Sequence, residues 1–96
     1  MKTSDLIDQA LDWAVTRIQH PEYPADVTVE YSTEWEYGGP IIERERTEFD
    51  FNEDTQMFHA YDGVFSGVGP THLVAAMRCF VASKLGDEVD IPEELL

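Results

Sequence analysis

The chain is short of positive charge, with 6 lysines and arginines against 20 aspartates and glutamates and a formal net charge of -14 over 96 residues. Such a field repels nucleic acid and anionic membranes before any contact forms, and it attracts basic partners. Cysteine is nearly absent as well. Cys79 stands alone, so no internal disulfide can form, and a single thiol in an apolar segment suits a reducing compartment. No apolar run approaches the roughly 18 residues of a membrane span. Residues 1–18 hold Asp5, Asp8 and Asp12 among their apolar positions, which is expected to exclude a secretory signal and leads to the expectation of a cytoplasmic protein with no membrane contact.

Signatures of chemistry are missing too. His20, His59 and His72 share no metal-ligand spacing with one another or with Cys79. Asp50, Asn52 and Asp54 match the first three ligand positions of a calcium loop, but Thr55 stands where the sharp turn needs glycine and Tyr61 where a bidentate glutamate belongs. Gly63, Gly67 and Gly69 precede a helix start as a phosphate-cradling loop would. His72 nevertheless replaces the third glycine of the dinucleotide pattern, and no Gly-Lys-Ser/Thr follows, so these glycines are expected to serve a turn. Ser32 and Ser66 lack the context of an activated nucleophile. The expectation is a protein that is not an enzyme and holds no metal or cofactor. A small enzyme or ligand-binding domain without a recognisable motif is the alternative.

Against these absences stands a hydrophobic content of 43%, with 11% aromatic residues, which is enough to bury one core despite the charge. Residues 1–96 are expected to form one α+β domain, with 90–96 as a loose acidic tail. Ser4 reads as a helix N-cap, followed at helical spacing by Ile7, Ala10, Leu11, Ala14 and Ile18, and His20-Pro21 ends that helix. A second helix lies between Gly69-Pro70 and Gly86 and is apolar on nearly every side, through Leu73, Val74, Ala75, Ala76, Met77, Cys79, Phe80 and Val81. Such a helix is either central to the core or covered by a partner, which makes it a candidate homodimer surface. Between the helices the period changes to two. Val27, Val29 and Tyr31 alternate with polar residues as a strand does, a loop through Trp35 and Gly38-Gly39-Pro40 leads to a second strand from Ile41 to Asp50, and Gln56–Tyr61 reads as a third. The expected order is helix, three-stranded antiparallel meander, helix, in a two-layer arrangement.

Several blocks resemble a known family. Tyr31-Ser32-Thr33-Glu34-Trp35, Gly38-Gly39-Pro40-Ile41-Ile42-Glu43-Arg44-Glu45, Gly69-Pro70-Thr71, Ala75-Ala76-Met77-Arg78 and above all Ala82-Ser83-Lys84-Leu85-Gly86-Asp87-Glu88-Val89 look like the NinX-like small proteins of tailed phages and prophages. Ala10-Leu11-Asp12-Trp13-Ala14-Val15 is similar to their opening helix. The resemblance implies a phage or prophage origin and action inside a bacterial host cell, and it carries no catalytic residues across.

The functional expectation is therefore an acidic interaction protein that binds a basic host or phage protein and does not bind nucleic acid directly. The candidate partner-binding residues are Glu34, Trp35, Glu36, Tyr37, Glu43 and Glu45: alternation would set Trp35 and Tyr37 on one side and acid on the other, an aromatic anchor with a charged rim. A solvated face around a Trp35 that merely closes the core is the bland counterpart. In a sharper version, strand carboxylates two residues apart, about 6.6 Å from each other, stand in for phosphates. The protein would then be a nucleic-acid mimic that counters a defence or DNA-processing protein.

Overall fold

The computed structural model describes residues 1–96 and contains three α-helices and one antiparallel sheet. Helix α1 spans Asp8–Gln19 and α2 spans Trp35–Glu45. Strands β1 (Glu48–Asn52), β2 (Met57–Asp62) and β3 (Phe65–Gly69) follow as a meander in the order β1-β2-β3, and α3 (His72–Leu85) comes last. Short 3₁₀ turns occupy Thr3–Asp5 and Glu93–Leu95. The class is α+β, as the sequence predicts, and the three-stranded meander is present, but its strands lie further along the chain than the alternation suggests.

Helix α3 organises the whole. One side packs on β3 and β2, and the opposite side meets α1 and α2. Leu73, Ala75, Ala76, Met77, Cys79, Phe80 and Val81 are all buried, so the helix that is apolar on nearly every side is central to the core. Its own chain covers it, which removes α3 as the expected surface for a second copy. Gly67 and Gly69 make the close contact on the sheet side. A Cβ at Gly69 would lie 2.8 Å from the Ala75 nitrogen, so the two backbones meet without side chains between them. These glycines serve packing, and only Gly63, at φ +61, serves a turn.

The expected first strand is not formed, because its backbone finds partners on α1 instead of on a neighbouring strand. The Val29 amide donates to Thr16 Oγ1 at 3.0 Å, and the Ser32 amide donates to Asp12 Oδ1 at 2.8 Å. Arg17 donates to the Tyr23 carbonyl at 2.7 Å, and Trp13 Nε1 donates to the Ala25 carbonyl at 3.1 Å. Residues 23–32 are thus laced along α1 by its polar side chains rather than paired with a strand.

The expected loop and second strand are also corrected: Gly38-Gly39-Pro40 and Ile41–Glu45 belong to α2. Gly38, Ile41, Ile42 and Glu45 recur at helical spacing on the side turned inward, where Gly38 lies under the Tyr31 carbonyl and Leu73. Pro40 removes one helical hydrogen bond but sits on the exposed side. Arg46, at φ 54, ends the helix, and the Thr47 amide closes it by donating to the Ile42 carbonyl at 3.1 Å. Ser4 is likewise not an N-cap. Thr3 bonds the Asp87 and Gly86 carbonyls through its amide (2.8 Å) and hydroxyl (2.5 Å), which pins the first residues to the end of α3 and delays α1 to Asp8.

Candidate functional site

Four elements bring their aromatic residues to one end of the molecule. Inward-facing positions of β1 and β2 supply Phe49, Phe51 and Phe58, α2 begins with Trp35, and α3 begins with His72. His72 is the hub: its ring centroid lies 3.9 Å from Phe58, 4.9 Å from Phe49 and 6.3 Å from Trp35, and Phe51 extends the cluster at 4.8 Å from Phe58. The register explains the grouping, since Phe51 pairs with Phe58 while Gly69 on the far side of Phe58 carries no side chain to cover it. Trp35 is 57% exposed and Phe51 45% exposed, large values for rings inside an aromatic cluster.

Beside the rings is a pocket of about 450 Å³, lined by Trp35, Phe58, His72, Pro70, Thr71 and Ser32 among others. Thr71 caps α3 by accepting from the Val74 amide at 3.1 Å. No lysine or arginine lines this pocket. No aspartate or glutamate lines it either: Glu34 and Glu36 adjoin Trp35 in the chain, while Glu48 and Asp50, next to Phe49 along β1, lie on the opposite face of the sheet from the rings. Apolar rings with no built-in cation, on a chain of strong net negative charge, suit a basic surface that carries an apolar or aromatic group.

A larger hollow of about 730 Å³ lies between the first residues of the chain, β3 and α3, but its main cation is already committed. Arg78 donates to the Leu6 carbonyl at 2.8 Å and the Val68 carbonyl at 2.6 Å, tying the chain start to the edge of the sheet.

The residues singled out from sequence separate in space. Glu34, Trp35 and Glu36 stand at the aromatic end. Tyr37 lies about 200° around α2 from Trp35 and meets Tyr31 edge-on at 6.4 Å, so the two aromatics do not share a side. Glu43 is exposed further along α2. Glu45 is half-buried and engaged within the chain, at 2.9 Å from Arg44 Nε and 3.7 Å from Lys84 Nζ, and the Arg44 hydrogen bond holds its carboxyl below the ordinary glutamate value. Because Glu43 and Glu45 are on a helix, they do not form the row of strand carboxylates expected between Ile41 and Asp50. Phe49, Phe51, Phe58 and His72 are not among the binding residues expected from sequence; the Phe-Asp-Phe alternation ahead of an Asn-Glu-Asp turn is the signal that marks the phenylalanines of β1.

Other candidates acquire structural roles. Asn52 Oδ1 accepts from the Asp54 and Thr55 amides at 2.9 and 3.2 Å, so this side chain builds the β1–β2 turn. His20 stacks on Tyr23 with ring centroids 4.2 Å apart. Burial pushes the Cys79 thiol up to about 11, which makes it a poor nucleophile. Nowhere do three or more His, Cys, Asp or Glu side chains gather so as to hold a metal ion, and no helix is long and apolar enough to cross a membrane.

Comparison with protein families matches residues 22–84, about two thirds of the chain, to the family described as bacteriophage P22, NinX. No curated protein matches the chain.

Proposed function

The chain belongs to the bacteriophage P22 NinX family, and from that premise we propose that it is a phage-encoded acidic protein whose work is to bind a basic protein partner inside the bacterial cytoplasm. The observation that carries this is the exposed Trp35, with Glu34 and Glu36 next to it in the chain, beside a ring-lined pocket with no cation among its lining residues. An aromatic anchor of this kind supplies contact area at small entropic cost, and the chain's excess of carboxylates speeds encounter with a basic surface and selects for it. Twelve acidic residues against two cations between Glu22 and Asp62 support the same reading.

The experiment is affinity capture from nuclease-treated bacterial lysate with the wild-type chain, Trp35→Ala and the double variant Glu34→Gln/Glu36→Gln. A basic protein in stoichiometric amount, lost at raised salt and depleted with both variants, is the expected result, because screening weakens exposed charge contacts. Equal recovery with all three chains would remove the site, and an empty lane at every salt concentration would overturn the proposal.

Nucleic-acid mimicry is the finer form of the same idea. The acid density favours it, while the helical placement of Glu43 and Glu45 leaves Glu48 and Asp50 as strand carboxylates two residues apart. Competition decides it: a mimic is displaced from its partner by duplex DNA, and an ordinary protein ligand is not.

A further inference from the structure

The free edge of the sheet adjoins the aromatic cluster. In the order β1-β2-β3, β1 has a neighbour on one side only. The two-residue connection Gly63-Val64, with positive φ at Gly63, makes Asp62 and Phe65 the closing hydrogen-bonded pair of a tight hairpin. Main-chain groups alternate in direction along a strand, so Met57, His59 and Tyr61 of β2 bond toward β1, where they face Asn52, Asp50 and Glu48. The amides and carbonyls of Phe49 and Phe51 are left pointing at the open edge. They take part in no turn, loop or side-chain hydrogen bond.

We infer that β1 receives an extended segment of the partner as a fourth strand, one in which lysine or arginine alternates with apolar residues. This rests on the basic-partner reading above and says how the partner is held. Residues of an added strand opposite Phe49 and Phe51 exchange main-chain hydrogen bonds with them and lay their side chains on the aromatic cluster. Residues opposite Glu48 and Asp50 fall in the non-hydrogen-bonded pairs, where side chains approach more closely, and cationic side chains there meet carboxylates across the strands. Specificity comes from the alternation and affinity from the main chain, as in other strand-addition complexes. The same acids argue against a second copy of this chain. Two β1 edges paired antiparallel would bring carboxylates together, and like charges directly opposite each other are destabilising. Acid on this edge therefore discourages self-pairing while leaving it open to a basic strand.

The test uses the full isotope-labelled chain and three short synthetic probes: an alternating lysine–valine peptide, the same peptide N-methylated at alternate residues so that one edge loses its donors, and an alternating glutamate–valine peptide. The lysine–valine peptide is expected to slow hydrogen exchange at the Phe49 and Phe51 amides and to bind about tenfold more tightly than its N-methylated form. Glu48→Lys/Asp50→Lys, at two exposed positions, is expected to abolish that difference while preserving the fold by circular dichroism. Equal binding of the N-methylated peptide, or protection confined to other amides, would overturn strand addition while leaving an acidic binding surface intact. Failure of every basic peptide to bind at low salt would remove both. Protection by the glutamate–valine peptide, or a concentration-dependent dimer that buries Phe49 and Phe51, would show that the edge has a different occupant.

Discussion

Gly67 lies directly beneath α3, where an added Cβ would stand 2.5 Å from the Cys79 nitrogen and closer still to the Ala75 carbonyl oxygen. Both obstacles are backbone atoms of a helix, which cannot turn aside as a side chain can. Gly67→Ala is therefore expected to destabilise the fold by about 1–3 kcal/mol, the range for overpacking in a filled core. Gly63→Ala is the control: nothing lies within 4 Å of its Cβ, and only the left-handed φ of +61 opposes it. That strain amounts to about 1–2 kcal/mol. Denaturant unfolding of the two variants separates the mechanisms, because pressing the helix off the sheet should also broaden the spectrum of α3, and strain at the hairpin tip should not.

Asp12 is only 5% exposed, and burial raises its carboxyl above the ordinary value of 3.8, opposed by hydrogen bonds from Ser32. A raised folded pKa means that the native state prefers the protonated form. Stability from this group is fully present below pH 3.8 and is lost as pH rises toward the folded value, so at neutral pH the ionised side chain opposes folding. Asp12→Asn, which keeps an oxygen for the Ser32 amide, is expected to raise the melting temperature at pH 7 and to have no such effect at pH 3. Asp12→Ala leaves that buried amide unpaired and is expected to cost about 1–3 kcal/mol. A melting curve for Asp12→Asn that falls below wild type at pH 7 would refute this sign.

Glu45 carries the opposite sign. Its carboxyl is held below the ordinary value of 4.5, chiefly by the Arg44 hydrogen bond, so its contribution is present above that pH and disappears as pH falls through the folded value. Glu45→Gln is expected to lose less than about 1 kcal/mol at neutral pH and nothing at pH 2. Because this carboxylate is already engaged by Arg44 and Lys84, the substitution should leave partner binding within twofold of wild type. A binding loss as large as that of Trp35→Ala would move the site toward the end of α2.

Helix α3 and the strand expected at Gln56–Tyr61 could be read from sequence, and the stretch between α1 and β1 could not. Helix α3 is bounded by local chemistry, a Thr71 cap and Gly86 at φ 84, so its limits are written in neighbouring residues. The segment from Val27 to Glu45 has no such punctuation. Val27, Val29 and Tyr31 alternate, yet that backbone is satisfied by Asp12 and Thr16, which are distant in sequence. Gly38-Gly39-Pro40 has the composition of a turn, but the lack of a side chain at Gly38 is what allows α2 to settle against Tyr31 and Leu73. Tertiary contact overrides local preference at both places. The site was half legible for the same reason: Trp35 announced itself, while its companion His72 becomes visible only when α3 is docked on the sheet.

Cys79 is buried with its thiol raised to about 11, and its Sγ lies 3.6 Å from the Phe65 carbonyl. Thiolate is the reactive form, so the native protein should resist alkylation at pH 8. Iodoacetamide labelling is expected to be at least about a hundredfold slower than in urea, where the thiol returns to its ordinary titration. Rapid labelling without denaturant would mean that α3 separates readily from β3.

Trp35 supplies the sharpest division between stability and binding. It is 57% exposed and bordered by Gly39, whose Cβ would lie 3.5 Å from the indole, so little of the core depends on it. Trp35→Ala is expected to cost less than about 1 kcal/mol of folding stability, as surface substitutions do. In binding, an exposed tryptophan at the centre of a contact typically contributes 2 kcal/mol or more, about a thirtyfold change in affinity. Phe58→Ala should behave in reverse, because that ring lies 3.9 Å from His72 and packs against the buried core, and its loss is expected to cost about 3–5 kcal/mol in stability. Calorimetric unfolding and titration of a lysine–valine peptide into each variant give the two quantities. If Trp35→Ala unfolded the chain as readily as Phe58→Ala while leaving peptide affinity unchanged, Trp35 would belong to the core, and the ring-lined end of the molecule would have no claim to be the place where a partner is held.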